Sequence, residues 1–291
     1  MRHNRDRLSR GILALLAFLS VCLLLLLIGF LFWQSLPALR EIGLGGLLGG
    51  DWRPLGYGGT PSYGLGNMLL STLYVSALAL VIALVIGVGC SLFLACGVSD
   101  RLRDALLPPL DLLAGIPSVI YGFVGLYVVV KALEKLGRAA GESVLAGSLV
   151  LSVMILPYII STCTSTMLQL RRRYEGASAA LGTSRWYMAS QLVLPASLRG
   201  ILAAAALAAG RAMGETMAVM MVIGNAPVAP ALLGKGETVA ALIALEMGTA
   251  EAGSLHFSAL FAAGLGLLLL LLAVHLVVAM LRRKLRKEGI L

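Results

Sequence analysis

The stretch GILALLAFLSVCLLLLLIGFLFW, Gly11 to Trp33, runs for 23 residues without a single Asp, Glu, Lys or Arg. About 20 apolar residues in a helix cross the roughly 30 Å hydrocarbon core of a bilayer. Lipid offers no hydrogen-bond partner to a bare backbone, so a segment of this kind is helical. The same solvent is written across the rest of the chain. It has 291 residues, 59% hydrophobic and only 13% charged, with a mean hydropathy of +0.94. Soluble domains carry about 25% charged residues, so water-soluble enzyme classes are excluded.

Working outward from that first run, six spans can be drawn, at about 11–33, 68–96, 106–130, 145–169, 198–224 and 257–281. Arg2, Arg5, Arg7 and Arg10 precede the first span in the manner of a signal peptide. The run is long enough to cross, however, and no small-residue cleavage site follows it, so it reads as a retained helix. The connections 1–10, 97–105, 170–197 and 282–291 hold the basic clusters, including Arg101, Arg103, Arg171, Arg172, Arg173, Arg185, Arg282, Arg283, Lys284, Arg286 and Lys287. The connections 34–67, 131–144 and 225–256 hold most of the acids: Glu41, Asp51, Glu134, Glu142, Glu237, Glu246 and Glu251. Basic segments stay in the cytoplasm, which places both termini inside and requires an even number of spans. The net charge of +9 is therefore a matter of topology and anionic lipid rather than nucleic acid.

The expected architecture is an all-α, polytopic membrane protein of six transmembrane helices with both termini cytoplasmic. Residues 1–67 form one unit, a first helix and an extracytoplasmic loop. Residues 68–291 form a core of five helices with a cytoplasmic loop at about 170–197. Cys22, Cys90, Cys96 and Cys163 make no metal or disulfide pattern and read as small packing residues. Trp52, Tyr57 and Tyr63 in the outer loop read as interfacial anchors. His275, among leucines and valines, reads as a packing residue.

Two segments carry chemistry. The first is cytoplasmic: Tyr174-Glu175-Gly176-Ala177-Ser178-Ala179-Ala180-Leu181-Gly182, closing at Leu192-Val193-Leu194-Pro195. Small residues make a helix able to slide into a groove on another protein, and Gly182 permits a sharp turn back. A helix over 175–181, a turn at Gly182 and a second amphipathic stretch to Pro195 are expected. The second segment is Gly210-Arg211-Ala212-Met213-Gly214-Glu215-Thr216-Met217-Ala218-Val219, followed by Gly224-Asn225-Ala226-Pro227. Arginine and glutamate inside a span are expensive unless they face protein or water. Four residues apart on a continuous helix, Arg211 and Glu215 share a face, beside a stripe of Gly210 and Gly214 that admits a neighbouring backbone. Two readings stand: a structural ion pair, or an arginine that neutralises a passing oxyanion with Glu215 holding it. In the third span, Gly115-Ile116-Pro117-Ser118 opens the helix. Ser118 and Tyr121 beyond it are either hydroxyl donors to an anion or part of a packing kink.

The cytoplasmic segment resembles the coupling loop of ABC importer permeases, whose pattern is Glu-Ala-Ala, three residues, Gly, then nine residues to Ile-x-Leu-Pro. Gly182, Leu192, Leu194 and Pro195 match in spacing, with Leu for Ile. Glu175 stands seven residues before Gly182 rather than six, where this chain has Gly176. The second segment, with Trp52-Arg53-Pro54 and Gly115 to Gly122, resembles the phosphate permeases and, among them, the PstC branch. That resemblance implies the type I ABC importer permease fold in a bacterial cytoplasmic (inner) membrane. It implies docking of Glu175, Gly176, Ala177 and the Gly182-to-Pro195 closure on an ATPase. It also makes Arg211, Glu215, Thr216 and Asn225, with Ser118 and Tyr121, candidates for the transport pathway. The implied partners are a PstA-like permease subunit, two ATPase subunits and an extracytoplasmic phosphate-binding protein. ATP and Mg are expected on the ATPases and no cofactor on this chain, which lacks a Gly-x-x-x-x-Gly-Lys-Ser/Thr loop and is not expected to be an enzyme. A permease for molybdate, sulfate or phosphonate, or a PstA-like partner subunit, shares these features.

Overall fold

A computed structural model describes residues 2–56, 59–137 and 141–287, with side chains described between 10 and 284. Tyr57 lies outside the described residues, as do the side chains of Arg2, Arg5, Arg7, Arg286 and Lys287. Helix α1 runs Arg2–Glu41 and is followed by a short helical turn, Gly43–Leu47. Strands β1 (Trp52–Arg53) and β2 (Ser62–Tyr63) pair antiparallel, Trp52 opposite Tyr63. Helix α2 is Gly66–Gly97, the last turn of which is a π-helix. Then come α3 (Asp100–Ala114), α4 (Ser118–Lys135) and α5 (Val144–Ala180). The chain continues through α6 (Arg185–Ala196), α7 (Leu198–Met213), α8 (Met217–Ile223), α9 (Val239–Glu246) and α10 (Leu255–Lys287).

Among the described residues, α1, α2, α5 and α10 are each long and apolar enough to cross a membrane, and two bent pairs bring the possible spans to six. The protein is thus all-helical, apart from the two-residue ribbon. The helices differ sharply in what surrounds them. The most apolar windows of α1 and α10 bury nothing inside the subunit, whereas 67% of that of α5 is buried. Helix α5 is therefore the axis of the subunit. Helices α1 and α10 pack along each other at the edge, with Phe30 and Phe261 meeting edge-on at 5.6 Å.

The contact that places α5 comes from a repeat in α2. Ser71, Val75, Ala79, Ala83, Gly87 and Ser91 recur every four residues and are all buried. Residues four apart share a helix face, and small ones let backbones approach closely. Leu151, Ile155 and Ile159 of α5 are fully buried in the same core as this stripe. At Gly87 the approach is so close that an added Cβ would lie 2.8 Å from the Ile159 side chain. Ser91 donates to Gly87 O at 2.6 Å and lies 3.2 Å from Ile160 O across the helix pair.

Three expectations change. The break expected within the span 106–130 is sharper than a kink, because α3 and α4 meet at 89° across Gly115-Ile116-Pro117. Pro117 cannot continue the helix of α3 and becomes the residue that starts α4. Helix α4 alone is about 27 Å long at 1.5 Å per residue. Amphipathic α3, whose charged first turn buries only Arg103, turns away across the end of the bundle. The coupling segment is not a separate hairpin either. Residues 175–180 are the end of α5, which runs unbroken for 37 residues. Finally, Trp52 and Tyr63 are 4% and 8% exposed, inside the protein rather than at a lipid interface.

The core makes a clear forecast. Replacing Gly87 by leucine forces α2 and α5 apart and should cost about 1–3 kcal/mol, as overpacking does. Thermal unfolding in detergent should show a lower midpoint for Gly87→Leu. Gly89→Leu, where nothing lies within 4 Å of the added carbon, should unfold like the parent.

Candidate functional site

The fifth crossing breaks where its charges sit. Helix α7 ends at Met213, Gly214 follows, and α8 starts at Met217. The break needs no proline. Glu215 Oε1 accepts the Ala218 N–H at 3.1 Å, satisfying a donor that a helix start leaves open and placing negative charge at its positive end. Arg211 and Glu215 therefore do not form the expected ion pair: the new helix start has taken the carboxylate. Thr216 is the residue from which α8 begins, and its hydroxyl lies 3.4 Å from Gly214 O.

Arg211 is left exposed on the subunit's side, and among the described residues its guanidinium makes no hydrogen bond or ion pair. It stands about 20 Å along the helix that begins at Leu198, at 1.5 Å per residue, well inside a bent pair long and apolar enough to cross a membrane. Tyr121 on α4 lies within electrostatic reach of it. Tyr121 itself is committed, donating to Leu113 O at 2.8 Å and so tying α4 to α3. Ser118, half-buried in the first turn of α4, keeps its hydroxyl free among the described residues. Asn225 is not at the break. It follows Gly224 at the end of α8, both in the left-handed region at φ 44° and 93°, and its Nδ2 donates to Met220 O at 2.8 Å. It ends a helix, as left-handed residues commonly do. The Gly210 and Gly214 stripe also differs from expectation. At Gly210 the close neighbour is the imidazole of His275 rather than a backbone, 3.3 Å from an added Cβ.

At the cytoplasmic end, α5 projects past the bundle and turns at Gly182, whose φ of +65° suits glycine. The Ser178 and Thr183 hydroxyls bond across the turn, and Thr183 N donates to Ser178 O at 3.1 Å. Gly176, Ala177 and Leu181 are exposed, with Leu181 at 80% and Trp186 at 73%. Leu192 and Leu194 fold back on the core, leaving Pro195 exposed. Glu175 has an internal partner: Arg171 donates to it at 3.2 Å and to Ala95 O at 2.9 Å. Arg171 also lies 3.6 Å from Asp100. The hydrogen bond and charge of Arg103 hold the Asp100 carboxyl below its ordinary range. The ends of α2, α3 and α5 are thus joined at the root of the projecting turn.

At the outer end, sequence reasoning missed a cluster. Glu246 accepts from Trp52 Nε1 at 3.0 Å and lies 2.7 Å from His256 Nε2, while Trp52 and Tyr63 meet edge-on at 5.7 Å. The connection 224–238 folds back over α5, its Gly234 and Leu232 carbonyls accepting the first amides of that helix at 3.0 and 2.9 Å. Glu237, at the end of this connection, is 4% exposed.

Residues 87–287 match the family described as binding-protein-dependent transport system inner membrane component. The chain belongs to this family. It is the inner-membrane permease of an ABC transport system rather than its ATPase, and membership implies ATPase and binding-protein partners. A probable ABC transporter permease protein, YqgH of Bacillus subtilis, is 36% identical over 76% of this chain and 71% of that protein. The phosphate transport system permease protein PstC of Xylella fastidiosa is 33% identical, covering 95% of this permease and 90% of its own length. Among solved structures, the inward-facing MetNI methionine ABC transporter matches with a TM-score of 0.58 at 17% identity, over 74% of this chain and 92% of that one. The fold is therefore that of an ABC importer permease.

Stability of this permease should depend on pH through Glu237. Burial, and secondarily the charge of Glu246, pushes its carboxyl from 4.5 up to about 7. Between those values the unfolded chain has lost a proton that the folded chain keeps, so stability falls as pH rises through the window. The thermal midpoint in detergent should drop from pH 5 to pH 8. Glu237→Gln should flatten that decline and unfold at a higher temperature than the parent at pH 8.

Proposed function

We propose that this chain is the permease subunit of an ATP-driven inorganic phosphate importer and forms half of its pathway. The observation that carries the reading is Arg211, a cation deep within a candidate span and without a hydrogen bond or ion pair among the described residues. A guanidinium keeps its charge at any physiological pH, and lipid would hold it there only at a cost of several kcal/mol. A water-filled pathway meets that requirement, and an oxyanion is the cargo whose paired oxygens fit the planar fork of arginine. The relatives named as phosphate permeases support phosphate within that class.

The chain crosses six times, with α3–α4 and α6–α7–α8 each serving as one crossing and both termini cytoplasmic. Residues 1–67 contribute the edge helix and outer loop, and 68–291 the permease core. The pathway closes against a PstA-like permease. Two ATPase subunits, holding ATP and Mg, dock on the projecting turn within 170–197, where Gly176, Ala177, Leu181 and Trp186 are open to a partner. An extracytoplasmic phosphate-binding protein delivers the cargo to the outer face. Because Glu175 is held by Arg171, it positions the turn, and the apolar tip makes the contact with the ATPase. Closure of the ATPases then moves α5 as a lever, whose root is tied to α2 and α3.

Arg211→Gln in the assembled transporter should abolish most ATP-dependent phosphate uptake. Assembly and ATP hydrolysis stimulated by the loaded binding protein should persist. Normal uptake by that variant would remove Arg211 from the pathway. Uptake of sulfate or molybdate in place of phosphate would reassign the cargo while leaving the permease in place.

A further inference from the structure

Hydroxyls on membrane helices ordinarily fold back onto the carbonyl three or four residues earlier, and here most do. Ser20, Ser35, Thr72, Ser91, Ser148, Ser152 and Thr166 all donate in this way. Ser71 and Thr164, which are buried in the core, do not, and neither do Ser161 and Ser165 of α5, which are not buried. Among the described residues neither hydroxyl has a partner, nor has the Gln169 amide one turn further on. These three, with Arg172, Leu168 and Leu107 of α3, line a single cleft of about 330 Å³. Ser165, Gln169 and Arg172 are exposed and Ser161 is half-buried. Free donors facing hydrocarbon are costly, so this face of α5 meets either water or another protein.

Two further facts choose between them. Every polar group lining the cleft can donate a hydrogen bond, and no carboxylate lines it. The nearby acids, Asp100 and Glu175, line an adjoining small cleft that shares Leu168 and Arg172 with this one, and there their carboxylates are taken by Arg103 and Arg171. Helix α3 also links the cleft to the region of Arg211. It borders the cleft through Leu107 and, farther along, accepts at Leu113 the hydroxyl of Tyr121, which lies within electrostatic reach of Arg211. The 161–172 segment then leads down α5 to the cytoplasmic end.

We propose that this cleft is the cytoplasmic half of the oxyanion path, in which Ser161, Ser165 and Gln169 replace the anion's hydration and Arg172 receives it at the exit. The inference rests on the permease reading above and names the residues that act after Arg211. A row of neutral donors between two cations lets an anion be handed on without being held tightly at any one point. Neutral hydrogen bonds are roughly half as strong as those of an ionised donor.

The test uses the assembled transporter with Cys22, Cys90, Cys96 and Cys163 replaced by alanine. A membrane-impermeant thiol reagent is added to the cytoplasmic face of inside-out vesicles carrying Ser165→Cys or Gln169→Cys. Both positions should react, and excess inorganic phosphate should slow the reaction severalfold. Leu269→Cys, on the exposed face of α10, should stay unreactive. No reaction at 165 and 169 would place this face against the partner permease and overturn the proposal. Equal rates with and without phosphate would overturn it too, leaving a wet crevice that no anion visits. In the native-cysteine background, Ser165→Leu should lower phosphate uptake severalfold with unchanged amounts of transporter in the membrane, and unchanged uptake would count against the cleft. Uptake by the unsubstituted transporter is measured alongside: its absence would reject the permease reading itself, whereas its presence without protection rejects only the role of the cleft.

Discussion

Everything in the subunit is arranged around the close approach of α2 to α5. A six-position stripe of small side chains removes the bulk that would otherwise separate two helices, and dispersion contacts between them replace contacts with lipid. Apolar side chains gain nothing by leaving lipid for protein, so surface complementarity rather than dislike of water holds the pair together. Once α5 is fixed at the centre, its outer end receives the carbonyls of the 224–238 connection. Its inner end carries the cytoplasmic turn out of the membrane. The proposed pathway face and the proposed coupling face are thus neighbouring stretches of one continuous helix.

The four long helices were legible because hydropathy reports the solvent directly, and the distribution of arginine and lysine supplied an expected orientation. Local breaks were legible only where a residue forbids helix. Pro117 announced a break, but the right angle across it depends on how α3 and α4 pack, which no local pattern encodes. The interruption at Gly214-Glu215-Thr216 carried a weaker sign. An acid three residues before a free amide is a helix-start signal, yet four-residue spacing from Arg211 reads equally well as an ion pair. Two donors, the guanidinium and the Ala218 amide, compete for one carboxylate, and only the folded backbone shows which receives it. The Trp52, Glu246 and His256 cluster joins residues nearly two hundred positions apart and leaves no trace in local sequence. The period-four stripe of α2, by contrast, was present in the letters as a run of Ser, Ala and Gly at fixed spacing.

Polar side chains divide into two populations on the same physical ground. Serines and threonines that return a hydrogen bond to their own helix are self-contained and pack like apolar residues, as Thr72 and Ser148 do. Others have no bond among the described residues: Ser71 and Thr164 are buried in the core, whereas Ser161, Ser165 and Gln169 line the cleft on α5. In a medium that solvates neither donor nor acceptor, a free polar group marks where something other than lipid must stand. Hydrogen-bond accounting therefore maps the functional face of this subunit more sharply than composition does, because buried and lipid-facing segments share the same alphabet.

The diversion of the Glu215 carboxylate to the start of α8 has an electrical consequence. It leaves the Arg211 guanidinium without a bonded counter-charge and, on the proposed reading, that cation stands within an insulating layer. A cell interior is negative, and moving one elementary charge through 100 mV takes about 2.3 kcal/mol, so an entering anion travels uphill. A stationary cation midway divides that climb into two shorter ones. It also raises a barrier to sodium, potassium and protons, which the voltage would otherwise draw inward through any opening. On the proposed reading, the charge that attracts the cargo would thereby protect the membrane's stored gradient while the gate is open.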